Sequence, residues 1–597
     1  MNDLDLAPIG NCAISALVDR QGRIVWCCAP RVDSDPFFSQ LLSGGDPSDE
    51  DARGLWSVEL AGQQTATQAY LRNTAVLRTE HTDQAGAVAE IIDFAPRFRL
   101  YDRSYRPASF IRLIRPVSGA PRIRIRMRPT RDWGRTATPS TNGTNHIRYI
   151  GQDITLRLTT NAPVSHITAE RVFRLEKPIA MFLGPDEPFQ GEVLSTAHGM
   201  LNDTLSDWRE WVRSLAIPLD WQEAVIRAAI TLKLCAYEET GAIVAALTTS
   251  IPEAPDSGRN WDYRYCWIRD AYYVVQALNR LGAVDIMENY LVYLRNIMDA
   301  AGGGQIQPVY GVGYEPILAE RIVGHLAGYR GMGPVRVGNQ AHEQIQHDVY
   351  GQIVLSTAHA FFDERLIRPP TRVDFEALER QGDRAFAVYD TPDAGLWELR
   401  TKAAVHTYSA AMCWAACDRL ANIAEKLGLP DRVSLWTERA AVIRANIEAK
   451  AWDETGQHFA ATFGGTEVDA SLTQLVDLRF LTADDPRHLE TLRVLEKRLR
   501  RGSNFLRYDL ADDFGVPETA FNFCTFWFIE GLYLAGETEE ARRLFEDMLA
   551  KRNHAGLLSE DSSLTDGALW GNYPQTYSLV GLINCAVLLS RPWSSVR

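Results

Sequence analysis

The chain has 597 residues, 46% of them apolar and 23% charged, with a formal charge of −14 from 62 basic and 76 acidic side chains. That length holds roughly two to four domains, and the composition excludes a disordered chain. The acidic balance argues against a nucleic-acid or anionic-membrane partner and suits a neutral substrate.

The start, Met1-Asn2-Asp3-Leu4-Asp5, is acidic and lacks the basic region and apolar core of a signal peptide. No run of about 20 apolar residues would span a membrane. Nine scattered cysteines without framework spacing suggest reduced, buried thiols and a cytoplasmic protein. With neither a CxxC pair nor an HExxH motif, no metal and no cofactor is expected. The sequence leaves a homo-oligomer open.

Residues 1–200 read as β structure. Segments 13–18 and 24–28 flank the turn signal Asp19-Arg20-Gln21-Gly22-Arg23, and 76–81 with 87–94 form a second candidate pair. Segments 122–128, 147–158 and 164–182 continue the pattern. Many short strands with no helical run between them indicate an antiparallel β-sandwich. In 122–128 arginine alternates with Ile and Met, which predicts one exposed charged face. The period then changes: Leu205, Trp208, Trp211, Val212 and Leu215 share a helical face, so 201–220 reads as a linker helix.

Residues 221–597 read as helical. The apolar-periodic segments are 221–240, 268–282, 285–301, 338–364, 372–388, 403–426, 430–451, 467–481, 485–501, 518–535, 537–553 and 572–589. The even-numbered ones are apolar all round and the odd ones amphipathic, as inner and outer helices would be. Six of each make an all-α (α/α)6 barrel. The expected fold is thus mixed and two-domain: sandwich 1–200, linker 201–220, barrel 221–597. The loops before inner helices, 241–267, 302–337, 389–402, 502–517 and 554–571, would gather at one mouth, where function usually resides.

The stretch Asn260-Trp261-Asp262-Tyr263-Arg264-Tyr265-Cys266-Trp267-Ile268-Arg269-Asp270 packs aromatics beside paired charges just before a helix. A capped helix with core aromatics would explain it, and so would a sugar site, where rings stack on apolar faces and Arg and Asp bind hydroxyls. Glycosidic bonds are cut by two carboxyls, one giving a proton to the leaving oxygen and one activating water or attacking carbon. Glu398, in Leu396-Trp397-Glu398-Leu399, has the apolar neighbours that would raise an acid, or it is a solvated residue paired with Lys402. Glu560, in Leu558-Ser559-Glu560-Asp561, has the polar neighbours that would keep a base ionised, or it belongs to an exposed acidic turn. The two would face each other across the mouth. Arg507 reads equally as a hydroxyl clamp or a surface arginine. His342 and His347, five apart on the expected fourth helix, suit hydrogen-bonded histidines better than metal ligands. Gly302-Gly303-Gly304 reads as loop punctuation.

In order, the chain carries Ile9-Gly10-Asn11, Ala16-Leu17-Val18-Asp19-Arg20, the stretch 259–270, His325-Leu326-Ala327-Gly328-Tyr329-Arg330-Gly331, Pro334-Val335-Arg336-Val337-Gly338-Asn339 and Asp348-Val349-Tyr350-Gly351. Leu396-Trp397-Glu398, Leu557-Leu558-Ser559-Glu560 and Gly571-Asn572-Tyr573-Pro574-Gln575 follow. On these motifs the chain resembles the bacterial members of glycoside hydrolase family 15, the glucoamylase and trehalase family, over nearly its whole length. The resemblance implies a sandwich, a linker helix and an (α/α)6 barrel. It also implies an inverting, exo-acting α-glucoside hydrolase releasing β-glucose, with Glu398 as acid and Glu560 as base. Its terminal-glucose pocket falls on Trp267, Arg269, Asp270, Leu396, Trp397 and Arg507. The chain departs from the family pattern at Thr401, where Gly is frequent, and at Leu579, where His is frequent, which bears on the leaving-group side of the pocket.

A small neutral α-glucoside, trehalose first and maltose- or isomaltose-type oligosaccharides second, is the expected substrate. An inverting α-glucoside phosphorylase is the rival chemistry, and a carboxylate at position 560 argues against it. A non-catalytic sugar-binding protein would leave both glutamates free to vary.

Overall fold

The computed structural model describes residues 3–596. The N-terminal third is two antiparallel sheets face to face. One has the order Leu6–Gly10, Ser15–Asp19, Ile24–Cys28, Leu55–Leu60, Arg122–Arg128, Phe173–Arg174, with Pro36–Phe38 paired to the third strand. The other runs Ser140–Asn142, His146–Ile150, Thr155–Thr160, Ile179–Pro185, Phe110–Ser118, Val88–Phe94, Leu77–Asp83, Gln63–Tyr70. Alternation sorts the side chains: Leu77, Thr79 and His81 point inward while Arg78 and Glu80 are more exposed.

Two expectations are corrected here. Arg122–Arg128 does not present an exposed charged face: Arg126 is 0% exposed, and Arg124 and Arg126 share Glu59 on the neighbouring strand. Cross-strand carboxylates fold that charge inward. Segment 164–182 is not one strand. It opens with the short helix α1 (Val164–Thr168), then gives Phe173–Arg174 and Ile179–Pro185, one to each sheet.

Helix α2 (Val193–Ser214) follows, starting earlier than the linker read from the sequence. Glu192 caps it, its carboxylate accepting from the Leu194 and Ser195 amides. Val193, Ala197 and Leu201 pack on the eight-stranded sheet, whereas Trp208 and Val212 pack on the next helix.

The barrel helices are α3 (Gln222–Leu234), α4 (Ile268–Arg280), α5 (Val284–Ala301), α6 (Asp348–Ala358), α7 (Arg372–Val388), α8 (Thr407–Lys426), α9 (Pro430–Ala451), α10 (Gln474–Asp477), α11 (Pro486–Leu499), α12 (Asn522–Leu534), α13 (Thr538–Ala550) and α14 (Thr576–Leu589). Among them α4, α6, α8, α12 and α14 are buried on nearly all sides and touch in a ring. The 3-10 turn Ala470–Thr473 running into α10 closes that ring between α8 and α12. This sixth inner element is short because Asp469 starts it at Ala470 and Arg479, at φ 65°, ends it. The expected helix 338–364 is likewise interrupted. Asn339 caps a separate 3-10 turn, Gln340–Glu343, and α6 begins only at Asp348. His342 and His347 therefore do not share a helix; they bond the Asn339 carbonyl and the Thr391 hydroxyl.

No helix among the described residues is long and apolar enough to cross a membrane. All nine cysteines are free and buried.

Candidate active site

The loops before the inner helices meet in one pocket of about 960 Å³, counting its mouth open to solvent. All eight residues singled out for a site line it: Trp267, Arg269, Asp270, Leu396, Trp397, Glu398, Arg507 and Glu560.

Each carboxylate is set by its local backbone. Glu560 immediately precedes the middle strand of a small sheet made of Thr519–Phe521, Asp561–Ser563 and Leu569–Trp570. Its carbonyl accepts from the Asn522 amide at 2.9 Å and its own amide donates to the Asn572 carbonyl at 3.1 Å. Gly571, at φ 73°, leaves room for the side chain; a Cβ there would stand 2.5 Å from the Glu560 Cβ. Glu398 lies in a turn closed by its amide on the Gly395 carbonyl, and its own φ is 57°. Trp267 ends a two-residue strand paired with Val309–Tyr310 and is the N-cap residue of α4.

Two rings connect the acids. The Tyr263 hydroxyl donates to Glu560 Oε1 at 2.7 Å, and the Trp267 indole N–H donates to Glu398 Oε1 at 2.6 Å. The two rings pack edge to face with centroids 5.4 Å apart. Arg269 and Gln346 also donate to Glu398 Oε1, at 3.0 and 3.3 Å. Oε2 of Glu398 has no protein hydrogen bond among the described residues, and the side chain keeps 24% exposure.

The setting of each acid differs from the sequence expectation. Leu396 and Leu399 flank Glu398 along the chain, but its carboxylate meets a guanidinium, an indole and an amide rather than an apolar wall. Glu560 is 1% exposed, and burial, with the Glu253 and Asp561 carboxylates beside it, pushes its pKa up. The Tyr263 hydroxyl and the Arg507 guanidinium oppose that rise. Asp561 is pushed up to about 8, also by burial first.

Arg269 is not a free clamp for sugar hydroxyls. Besides Glu398 its guanidinium donates to Gln346, Asp348 and the Tyr577 hydroxyl. Asp270 is buried beside it, its carboxyl raised to about 7 by burial. Arg507 is not a surface residue: its guanidinium pairs with Glu253, and its buried Nε finds no partner among the described residues. The Trp397 indole donates to Asp469 at 2.9 Å, and its ring packs with Tyr508, Phe521 and Trp527 as an aromatic wall.

Sequence reasoning gave no role to Tyr263, Glu253, Gln346 or Tyr577. Tyr263 lay within the aromatic stretch already singled out. Glu253 stands between Pro252 and Pro255, an acid in a fixed turn inside a mouth loop, which was its only signal. No cluster of three His, Cys, Asp or Glu suited to a metal occurs among the described residues.

A sandwich on an (α/α)6 barrel, with two carboxyls hung from packed rings in one aromatic pocket, has the parts that cleavage of a glycosidic bond needs. The chain belongs to glycosyl hydrolases family 15, which it matches over residues 220–587; residues 5–176 match the trehalase-like N-terminal family. It is 31% identical to a trehalase of Thermoplasma volcanium over 591 residues, covering 97% of this chain and 92% of that one. A trehalase of Mycolicibacterium smegmatis is 30% identical, covering 98% and 91%. A bacterial glucoamylase solved in complex with acarbose has the same fold, with a TM-score of 0.68 at 14% identity over 98% of this chain and 93% of that one.

Proposed function

We propose that the chain is an inverting, exo-acting hydrolase of small α-glucosides, with trehalose as its substrate, Glu398 as general acid and Glu560 as general base. The observation that carries the reading is the bridge of Tyr263 and Trp267, which hangs one carboxylate from each of two packed rings in the same pocket. Relatives named trehalase, at 30–31% identity over nearly the whole chain, support trehalose.

The geometry suggests how the work divides. Three N–H donors occupy Glu398 Oε1, which leaves Oε2 to carry the proton given to the glycosidic oxygen. Water attacks the anomeric carbon from the opposite face and passes its proton to Glu560, so the configuration inverts. Inversion needs room for that water, hence carboxyls roughly 6.5–9.5 Å apart. Asp270, Leu396, Trp397 and Arg507 line the remaining walls and are assigned to binding the terminal glucose, with Trp267 and Arg269 holding the acid. Residues 1–200 would be the sandwich domain, 201–220 the linker and 221–597 the catalytic barrel. Nine buried free thiols support a reducing, cytoplasmic setting.

Glucose release from trehalose, maltose, isomaltose and maltoheptaose without added phosphate tests the reading. Trehalose should be fastest. Preference for the maltose series would make the chain glucoamylase-like, and turnover only with phosphate would exclude hydrolysis.

A further inference from the structure

The rim of the pocket is tied shut on the side of Glu398. Asp513 accepts from the Arg400 amide at 2.6 Å and from the Thr401 hydroxyl. The Lys402 ammonium reaches the Ala511 carbonyl at 2.9 Å. Residues 400–402, just beyond Glu398, are thereby joined to residues 511–513 of another mouth loop.

The second loop is held at its other end as well. Arg259 grips Asp512 through two bonds of 2.6 Å and also donates to the Gly515 carbonyl at 2.8 Å. The Phe514 ring meets Trp261 edge-on at 5.1 Å, and Arg400 lies over the Trp261 ring at 4.5 Å. Three mouth loops thus form one continuous wall, and Trp261, Arg400, Asp512, Asp513 and Phe514 all line the pocket.

We infer that Thr401 and Asp513 determine chain-length specificity, by latching a wall that leaves room for one sugar on the leaving side. The inference rests on the hydrolase reading above, in which Glu398 protonates the leaving oxygen. The leaving sugar then lies against residues 398–402, and a second leaving unit would have to pass where Asp513 joins Arg400 and Thr401. The Thr401 hydroxyl makes that bond from the side chain, so it can be removed without touching the Arg400 amide bond to Asp513. The latch is breakable by substitution because Thr401 and Lys402 are exposed to water.

The test compares a disaccharide with the same disaccharide lengthened by one glucose on the leaving side: trehalose against maltosyl α-glucoside, and maltose against maltotriose. In the native enzyme kcat/KM should fall about 10-fold or more on lengthening. Asp513→Ala should recover most of that loss, read as the ratio of kcat/KM between the two members of each pair. Thr401→Val, which removes only the hydroxyl bond, should recover part of it and serves if Asp513→Ala does not fold. Equal rates on both members of a pair in the native enzyme, or a ratio unmoved in either folded variant, would overturn the latch and leave the hydrolase reading standing. Failure to cleave any disaccharide would overturn the hydrolase reading itself.

Discussion

Glu398 holds a left-handed backbone conformation, φ 57°, which costs a residue with a side chain about 1–3 kcal/mol. The Trp267, Arg269 and Gln346 donors on Oε1 help hold it there. Glu398→Gln keeps the shape and removes the proton; kcat should fall about 10²–10⁴-fold in steady-state assays with KM within a few-fold. Full turnover would remove Glu398 from the mechanism. Glu560 must be ionised to act as base, and burial with Glu253 and Asp561 raises the pH at which that happens. The acidic limb of kcat/KM should therefore follow this cluster. Glu253→Gln deletes one neighbouring negative charge and frees Arg507 to face the base, so the limb should move to lower pH by roughly one unit. An unmoved limb would show that Glu560 does not set it. Both catalytic candidates stand in loops ahead of inner helices, and the structure brings them to one pocket. Their settings were misread because sequence neighbours are not spatial neighbours: Arg269, 129 positions away, meets Glu398 where Leu396 and Leu399 do not.

Elements were legible wherever apolar period and burial agree. Helices α12 and α14, almost wholly buried, follow from their unbroken apolar runs. The fourth and eighth barrel segments were drawn too long because Asn339 and Asp469 restart the backbone with side-chain caps inside apolar stretches. In the strands, charge was read as exposure, yet buried arginines staple the sandwich. Arg112 pairs with Asp93 on the adjacent strand at 2.7 Å, both 0% exposed, and crosses to the Trp56 carbonyl of the opposite sheet at 2.8 Å. Asp93→Ala would leave a guanidinium buried without its counter-charge, so stability should drop by about 3–5 kcal/mol, measured by chemical unfolding. A loss under about 1 kcal/mol would mean that the carbonyls alone satisfy Arg112.

Across the whole molecule the sandwich supports the mouth. Trp26 donates to the Leu247 carbonyl at 2.8 Å, and Arg264 reaches back to the Ser34 carbonyl at 2.7 Å, so the loop carrying Tyr263 and Trp267 is held from both domains. That contact was invisible in the sequence, where no period marks an interface between two domains. Several carboxyls are also raised by burial: Asp393 to about 6, Asp270 to about 7, Asp561 and Glu530 to about 8. Unfolded, these groups titrate near 4. Between those values the folded chain keeps protons on these carboxyls that the unfolded one has lost, so their contribution to stability falls as pH rises from about 5 to 8; His81, lowered to about 4 by burial, contributes in the opposite sense. Glu530→Gln, outside the pocket, removes one of these carboxyls, so the thermal midpoint of the variant relative to the native protein should improve from pH 5 to pH 8. A midpoint difference between the two proteins that is the same at both pH values would contradict a raised Glu530. The central claim is that Glu398 and Glu560 act from opposite faces of one glycosidic bond. Proton NMR of trehalose hydrolysis, recorded before mutarotation, tests it most directly. Inversion predicts equal initial amounts of α- and β-glucose, the β anomer from the attacked ring and the α from the leaving one; α-glucose alone would mean retention and would contradict the account.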